Sequence, residues 1–173
     1  MAEVTLEPWI DRFVASLERL VAGDHPDVAT LAKLRRGFTE KQGERDLWVY
    51  SHLGAASPKD EPYALLVASL FALWHQGGRS PVRSPAASFG GSYGRLRMLT
   101  GSASIEQRFA VLIDSHPDGL PDRMRQGVFL LRAKDITVHW RNLLRDLIVW
   151  NRFDRRIQHR WARDFWGALA RSE

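Results

Sequence analysis

Apolar residues recur along most of the chain at steps of three and four, which is the spacing of one face of an α-helix. Trp9, Phe13 and Leu17 show this spacing near the start of the sequence, and Trp161 and Phe165 show it near the end. Hardly any stretch alternates apolar and polar residues as a half-buried strand does. The pattern therefore predicts an all-α protein, with about eight to nine helices in two packed bundles that share a compact core.

Residues that favour helix ends mark the predicted elements. Asp24 is the predicted N-cap of a second helix, and Ser104 and Gln107 form a capping box, in which each side chain bonds the other's backbone N–H. The apolar run from Ala64 to Trp74 is typical of a buried helix. The pattern predicts helices at about residues 6–20, 25–36, 45–53, 62–74, 104–115, 122–134, 136–150 and 156–170.

Glycine, proline and serine are concentrated between Gly77 and Gly94. Segments of this composition usually connect helices rather than form them, and Gly90 to Gly94 are interpreted as a flexible lead into the next helix. We predict an N-terminal helical bundle (residues 1–76), a connecting loop rich in glycine, proline and serine (residues 77–94), and a C-terminal helical bundle with basic faces (residues 95–173).

Composition narrows the functional classes. The 173 residues include 25 lysines and arginines against 20 acidic residues, a formal charge of +5, which favours polyanionic partners and nucleic acid first among them. The absence of cysteine excludes disulfide frameworks, zinc ribbons and thiol nucleophiles. The acidic start of the chain is unlike a signal peptide, and no apolar run is long enough for a membrane helix. We expect a cytoplasmic protein with no membrane partner.

The sequence contains no phosphate-binding loop, no zinc-protease helix motif and no nucleophile elbow. We therefore predict no catalytic site, no cofactor and no bound metal. Asp114, His116 and Asp118 are a weak alternative for a metal site, because all three lie within one turn and no distant fourth ligand is evident. A small hydrolase that uses Asp114 and His116 is a correspondingly weak alternative function.

The C-terminal third is rich in arginine. At 100° per residue, Arg141, Arg145 and Arg152 lie within an arc of about 40°, opposite the apolar residues of the same segment. Arginines at such a spacing can follow a phosphate backbone without reading bases. For any single arginine, the alternative is a solvated helix face or an ion pair, such as Arg160 with Asp164.

Five short blocks follow one another along the chain: Leu34-Arg35-Arg36-Gly37, Leu70-Phe71-Ala72-Leu73, Ser92-Tyr93-Gly94-Arg95, Glu106-Gln107-Arg108-Phe109 and Arg160-Trp161-Ala162. In order and spacing they resemble the CasB family, the small subunit of the type I-E CRISPR surveillance complex Cascade. The resemblance extends from Trp9 to Trp166.

The resemblance implies a non-catalytic, all-helical protein that is present twice per complex, as a head-to-tail pair along the guide RNA. It also implies binding of nucleic acid without sequence preference. Such binding would stabilise the opened target DNA, and in particular the displaced strand of the R-loop, in antiviral defence. The implied partners are DNA, guide RNA, the other Cascade subunits and a second copy of the chain, with no cofactor.

Three of the blocks contain arginines that match basic residues of the family. Arg35 and Arg36 match the basic end of an early helix, Arg95 matches the arginine of the Ser-Tyr-Gly-Arg block, and Arg108 matches the arginine before the aromatic residue of the next helix. Helical spacing adds further basic residues in the C-terminal bundle. The predicted nucleic-acid-binding residues are Arg35, Arg36, Arg95, Arg108, Arg132, Lys134, Arg141, Arg145 and Arg152.

The chain departs from the family at one position. Relatives commonly have aspartate before the tryptophan, whereas this chain has His139 before Trp140. Asp135 or Thr137 is then the expected helix cap.

A second function for the whole chain also stays open: a helical protein–protein adaptor that makes no direct contact with nucleic acid.

Overall fold

The computed structural model describes residues 7–38, 44–76 and 84–171. Within those ranges it contains nine α-helices, a 3-10 turn at Arg36–Phe38 and no β-strand, which confirms the all-α prediction. Residue 6 of the first predicted helix and residues 77–83 of the predicted loop lie outside the described residues. The helices are α1 (Pro8–Arg19), α2 (Val28–Arg35), α3 (Glu44–His52), α4 (Glu61–Trp74), α5 (Phe89–Thr100), α6 (Ala103–Ile113), α7 (Leu120–Ala133), α8 (Trp140–Ile148) and α9 (Arg156–Ala170).

The helices belong to two compact units, Met1–Pro81 with α1 to α4 and Val82–Glu173 with α5 to α9. In the first unit, α2 and α3 both pack on α4. Most of α4 is buried, as its continuous apolar sequence predicts. The ring of Phe13 from α1 lies between those of Trp9 and Trp48, with centroids 6.4 and 6.2 Å away. The core of this unit combines aliphatic and aromatic residues from all four helices, among them Phe13, Leu31, Val49 and Phe71.

The second helix begins three residues later than the sequence predicts. Gly23 has a φ of +75° in the segment after α1, and the N-cap of α2 is Asp27 rather than Asp24. The Asp27 carboxylate accepts the backbone N–H of Thr30 at 3.0 Å and its hydroxyl at 2.7 Å. The backbone hydrogen bond is the main reason why the pKa of Asp27 is lowered. The prediction of Asp24 is wrong because Pro26 precedes the helix instead of forming its first turn.

The most extensive helix–helix contact in the second unit joins α5 and α9. Two glycines of α5 permit it. A Cβ atom on Gly90 would overlap the carbonyl oxygen and Cα of Trp161, and one on Gly94 would lie 2.7 Å from the Cβ of Ala168 and from the carbonyl oxygen of Phe165. Small residues four positions apart thus let the two helix backbones approach closely.

This packing overturns part of the predicted loop. Gly90 to Gly94, expected to be a flexible lead, are helical and buried within α5. Ser88 caps the helix, and its hydroxyl accepts the backbone N–H of Gly91 at 3.1 Å. Glycine lowers intrinsic helix propensity, but here the contact with α9 outweighs that cost.

The predicted capping box is also wrong. α6 begins at Ala103 with Ser102 as its N-cap, so Ser104 lies inside the first turn rather than at the cap. The hydroxyl of Ser104 is 2.8 Å from that of Ser102. Ser102 makes no side-chain capping bond, and the reciprocal bonds of a capping box are therefore not formed.

α8 begins at Trp140, and its cap is His139 itself. The Nδ1 atom of His139 accepts the backbone N–H of Asn142 at 3.3 Å. The expectation of Asp135 or Thr137 is therefore wrong, because the residue directly before the helix supplies the cap with its own side chain.

A buried carboxylate joins α8 to α9. The side chain of Asp146 is 5% exposed, and it accepts the indole N–H of Trp161 at 2.7 Å and a short hydrogen bond from the guanidinium of Arg160. Asp164, the partner that the sequence suggests for Arg160, instead accepts the hydroxyl of Ser88 at 2.6 Å. The alternative pairing of Arg160 with Asp164 is thus wrong, because α8 supplies a more buried acceptor.

None of the helices in the described ranges has both the length and the apolar character needed to cross a membrane.

Candidate nucleic-acid interface

The predicted basic residues lie in both units. Arg35 ends α2, where its side chain is half-buried, and the exposed Arg36 begins the following 3-10 turn. Both belong to the first unit, whereas the other seven predicted residues belong to the second.

Arg95 on α5 and Arg108 on α6 are exposed. Within the described part of the chain, neither guanidinium forms an ion pair, although the neighbouring Arg97 pairs with Glu106 at 2.7 Å. Arg95 and Arg108, two of the four arginines taken from the family blocks, therefore present to solvent charges that no described residue pairs.

Arg108 lines a cleft of about 230 Å³ formed by α5, α6 and α7. Its lining side chains are mostly polar, and we call it the Tyr93 cleft. They are Tyr93, Ser104, Gln107, Arg108, Val111, Arg123 and Gln126. Arg123, the second guanidinium of the cleft, is also exposed and forms no ion pair within the described ranges. The cleft thus combines two cationic groups with hydroxyl and amide groups.

Tyr93 is the buried wall of this cleft, since only 1% of the residue is exposed. Its ring packs against those of Phe89 and Phe109, at centroid distances of 5.7 and 5.5 Å. Burial raises the pKa of Tyr93 to about 12, although the positive charge of Arg108 acts in the opposite direction. The hydroxyl therefore stays protonated near neutral pH and can donate a hydrogen bond.

Arg95 lines a different cleft of about 300 Å³ between the start of α5 and the end of α9. Arg171 also lines it, but so does the carboxylate of Asp164. This cleft is of mixed charge, which makes it a weaker site for a polyanion than the Tyr93 cleft.

Arg132 and Lys134 lie at the end of α7. Arg132 is half-buried in the last turn, and the exposed Lys134 is the C-cap. Positive charge at this position interacts favourably with the helix dipole, so both residues have a structural role whether or not they contact a ligand.

Arg141 and Arg145 lie one turn apart on α8, but both are half-buried and make contacts within the protein. Arg152 does not continue their face, because α8 ends at Ile148. Its guanidinium instead lies 3.4 Å from the carboxylate of Asp154. The predicted arc of three arginines on one helix is therefore wrong, since helical geometry stops before its third member.

The guanidinium of Arg155 binds groups within the protein. Its guanidinium donates to the carbonyl of Ile113 at 2.8 Å and to the carboxylate of Asp114 at 3.3 Å. This contact also occupies Asp114, one of the three residues of the weak metal alternative. The other two, His116 and Asp118, are exposed neighbours 3.3 Å apart. The described residues contain no group of three potential metal ligands.

Of the seven side chains that line the Tyr93 cleft, sequence reasoning proposed only Arg108 as a binding residue and missed the other six, Tyr93 and Arg123 among them. Tyr93 stands within the Ser-Tyr-Gly-Arg block, and Arg123 is among the bases of the C-terminal third. Neither carries a periodic signal that links it to Arg108, because the cleft depends on how α5, α6 and α7 pack. Their shared site is visible only in the tertiary structure.

Comparisons with known proteins support the family resemblance. A family model described as CRISPR-associated protein Cse2 matches residues 30–166. The CRISPR-associated protein Cse2 of Thermus thermophilus is 36% identical over 111 residues, which cover 62% of this chain and 58% of that relative's length. The match thus spans little more than half of the curated relative.

Solved structures show the same fold. The crystal structure of M. ruber CasB has a TM-score of 0.75 at 29% identity, covering 95% of this chain and 96% of that one. A chain of a CRISPR RNA-guided surveillance complex has a TM-score of 0.70 at 22% identity, covering 95% of this chain and 93% of that one. The latter likeness is one of fold.

Proposed function

The chain belongs to the CRISPR-associated Cse2 family, and on that premise we propose that it is a non-catalytic subunit of an RNA-guided CRISPR surveillance complex. In this role it binds nucleic acid without sequence preference and stabilises the opened target DNA, in particular the displaced strand of the R-loop. The proposal includes guide RNA, the other Cascade subunits and a second, head-to-tail copy as partners. It assigns the protein to antiviral defence in the cytoplasm and gives it no cofactor.

The observation that carries this proposal is the uncompensated charge of the second unit. Arg95, Arg108 and Arg123 are exposed on three successive helices, with no ion pair inside the described ranges. Such side chains are available to neutralise phosphates, which releases counterions and does not depend on base sequence.

Modest contacts suffice for the proposed role. The guide–target duplex is about as stable as the DNA duplex that it replaces, so strand exchange is nearly balanced. A few phosphate contacts to the displaced strand shift this balance towards the open state, provided that the strand cannot make equivalent contacts when it is paired. This role requires no covalent chemistry from the subunit.

Fluorescence anisotropy of the purified chain with labelled single- and double-stranded DNA, at a series of salt concentrations, tests the proposal. We expect similar affinity for unrelated sequences and a log–log salt slope of several units in magnitude. Arg95→Gln should reduce that slope more than Arg152→Gln, because Arg152 is already paired with Asp154. Absence of binding at low salt, or an affinity independent of salt, would refute the nucleic-acid role.

One observation favours the adaptor as a second candidate. The ring of Phe153, in the turn between α8 and α9, is 97% exposed, and those of Phe129 and Trp166 are 59% and 54% exposed. Exposed aromatic residues are enriched at protein interfaces. If the adaptor reading is correct, Phe153→Ser should weaken binding of the chain to its complex, while DNA binding is absent in both variant and wild type.

A further inference from the structure

Trp166 on α9 differs from the other tryptophans of the chain. It is 54% exposed, whereas five of the other six are buried and Trp48 is half-buried. Single exposed apolar residues are common on protein surfaces, so exposure alone gives Trp166 no role. Two features of its surroundings do indicate one: a ring that is held in place, and a positive charge beside it.

The indole ring of Trp166 is supported by the core of the second unit. Its centroid lies 5.0 Å from that of Phe165, and the two rings meet edge to face at an interplanar angle of 87°. Phe165 is fully buried and stacks on Phe109 at a centroid distance of 4.3 Å. The orientation of the indole is thus set before a partner arrives, and little conformational entropy is lost when a flat group stacks on its accessible part.

The charge beside the ring belongs to Arg163. This arginine lies three residues before Trp166, and both side chains are on the exposed face of α9. Residues three apart on a helix are neighbours, with Cβ atoms about 5–6 Å apart. The guanidinium of Arg163 forms no ion pair with the described residues, and none of the exposed residues of α9 is acidic. The surface therefore suits an anion that also carries a flat group.

The exposed phenylalanines of the second unit lack these features. Neither Phe129 nor Phe153 packs against another aromatic ring of the described residues. One turn from Phe129 on α7, Arg125 and Arg132 already make contacts within the protein. Arg152, next to Phe153, pairs with an aspartate at 3.4 Å. Trp166 thus combines a supported ring with an adjacent unpaired charge, and the two phenylalanines do not.

Single-stranded nucleic acid carries both groups that this surface accepts. Its phosphates are the anions, and every unpaired base has a π-face that stacks on an aromatic side chain whatever its sequence. In a duplex the phosphates are still exposed, but the bases are paired and stacked on one another. An acidic protein segment would neutralise Arg163 but would leave the indole without a flat partner. The observations therefore favour an unpaired nucleic-acid strand over an acidic protein.

We infer that Trp166 is a stacking platform for one unpaired base of the bound strand, with Arg163 beside the adjoining phosphate. The inference rests on the proposed function and adds a contact that depends on bases rather than on phosphates. A ligand shifts an equilibrium only through its different affinity for the two states. Phosphates are present in paired and unpaired strands alike, whereas stacking on Trp166 requires an unpaired base. Stacking thus gives the subunit a reason to favour the displaced strand over the closed duplex.

The test compares two labelled oligomers of equal length and charge: single-stranded oligothymidylate, and an abasic deoxyribose-phosphate chain that has no bases. Fluorescence anisotropy of the full chain at low salt measures both affinities. We expect the wild type to bind the oligothymidylate about tenfold more tightly. That ratio is equivalent to about 1.4 kcal/mol, which lies within the range of one base–aromatic stack.

Substitution of Trp166 should abolish this preference. We expect Trp166→Ala to bind both oligomers as the wild type binds the abasic one, with an unchanged salt slope because no charge is lost. Trp166→Phe keeps an aromatic ring and should keep most of the preference. This second variant separates stacking from any structural effect of the alanine, and circular dichroism verifies that both variants retain their helix content.

Two matched controls identify what each side chain contributes. Phe129→Ala removes an aromatic ring of similar exposure from α7, and it should leave the preference for oligothymidylate intact. Arg163→Gln should weaken binding of both oligomers alike and reduce the magnitude of the salt slope by up to about 0.7, because a single phosphate contact is lost. The ratio of the two affinities should stay near the wild-type value.

The outcomes distinguish the stacking assignment from the proposed function. Equal wild-type affinity for the two oligomers, or a preference that survives Trp166→Ala, would overturn the stacking assignment. The proposed function would then stand on phosphate contacts alone, and the exposed indole would be left to a protein partner. If the wild-type chain binds neither oligomer, nor duplex DNA, the proposed function and the stacking assignment both fail.

Discussion

Replacing Gly90 by alanine tests the physical basis of the α5–α9 contact. In solvent, this change would stabilise a helix, since alanine has about 1 kcal/mol better helix propensity than glycine. In the folded protein, the new methyl group would overlap the carbonyl oxygen and Cα of Trp161. These are backbone atoms in the middle of α9, so they cannot move aside as a side chain could.

The size of the effect follows from these two opposing contributions. Overpacking a tightly packed contact typically costs 1–3 kcal/mol, and we take about 3 kcal/mol because the obstacle is backbone. After the gain in propensity, Gly90→Ala should lower the free energy of unfolding by about 2 kcal/mol. Gly94→Ala should cost less, about 1 kcal/mol, because its closest contacts, at 2.7 Å, overlap less than those at Gly90.

Gly167 provides the matched control on the opposite helix. It lies within α9, and the nearest atom to an added Cβ is the flexible guanidinium of Arg171, 3.8 Å away. Gly167→Ala should therefore stabilise the protein by about 0.5–1 kcal/mol.

Urea-induced unfolding followed by circular dichroism measures these differences, with hydrogen exchange of α5 and α9 amides to identify the transition of the second unit. From the most to the least stable protein, the expected order is Gly167→Ala, wild type, Gly94→Ala and Gly90→Ala. If Gly90→Ala is as stable as Gly167→Ala, the close approach of α5 and α9 does not exist in solution and the reasoning fails.

Three further predictions concern hydrogen bonds that the structure assigns, each measured by urea unfolding. Asp146→Ala should cost about 3 kcal/mol, because it leaves the indole N–H of Trp161 buried without an acceptor; a loss below about 1 kcal/mol would contradict this. His139→Asp should add up to about 1 kcal/mol, since aspartate is the stronger N-cap, and an unchanged or lower stability would show that the histidine is already optimal. Asp27→Ala should cost about 1 kcal/mol at neutral pH. Because the pKa of Asp27 is lowered by its bond to Thr30, the wild type should lose this advantage as pH falls below the ordinary value of about 3.9, and a difference independent of pH would refute the assignment.

Helix content was predictable because it depends on local periodicity. The last helix, Arg156–Ala170, occupies the predicted residues, and the two tryptophans placed on apolar stripes, Trp9 and Trp161, are both buried. Helix ends were less predictable. Asp24, Ser104 and Asp135 were all chemically suitable caps, but which one of several adjacent polar residues caps a helix depends on where tertiary packing positions the chain.

The glycine-rich segment shows the limit of local reasoning most clearly. By propensity alone, Gly90 and Gly94 predict a loop, because glycine gains no stability from helix formation in isolation. The structure makes them helical because their missing side chains admit the backbone of α9, a partner more than sixty residues away in sequence. No local pattern contains that information.

The sequence alone determined the all-α class, the family, the basic character of the C-terminal half and the lack of recognisable catalytic motifs, since each depends on residue type and spacing along the chain. Only the tertiary structure decided which charges are available. It neutralises Arg160 with the buried Asp146, pairs Arg152 with Asp154, and brings Arg108 and Arg123 from separate helices into one cleft beside Tyr93. The physical reason is that electrostatic interactions and hydrogen bonds act through distances in space, which the packing of helices sets and the order of residues does not.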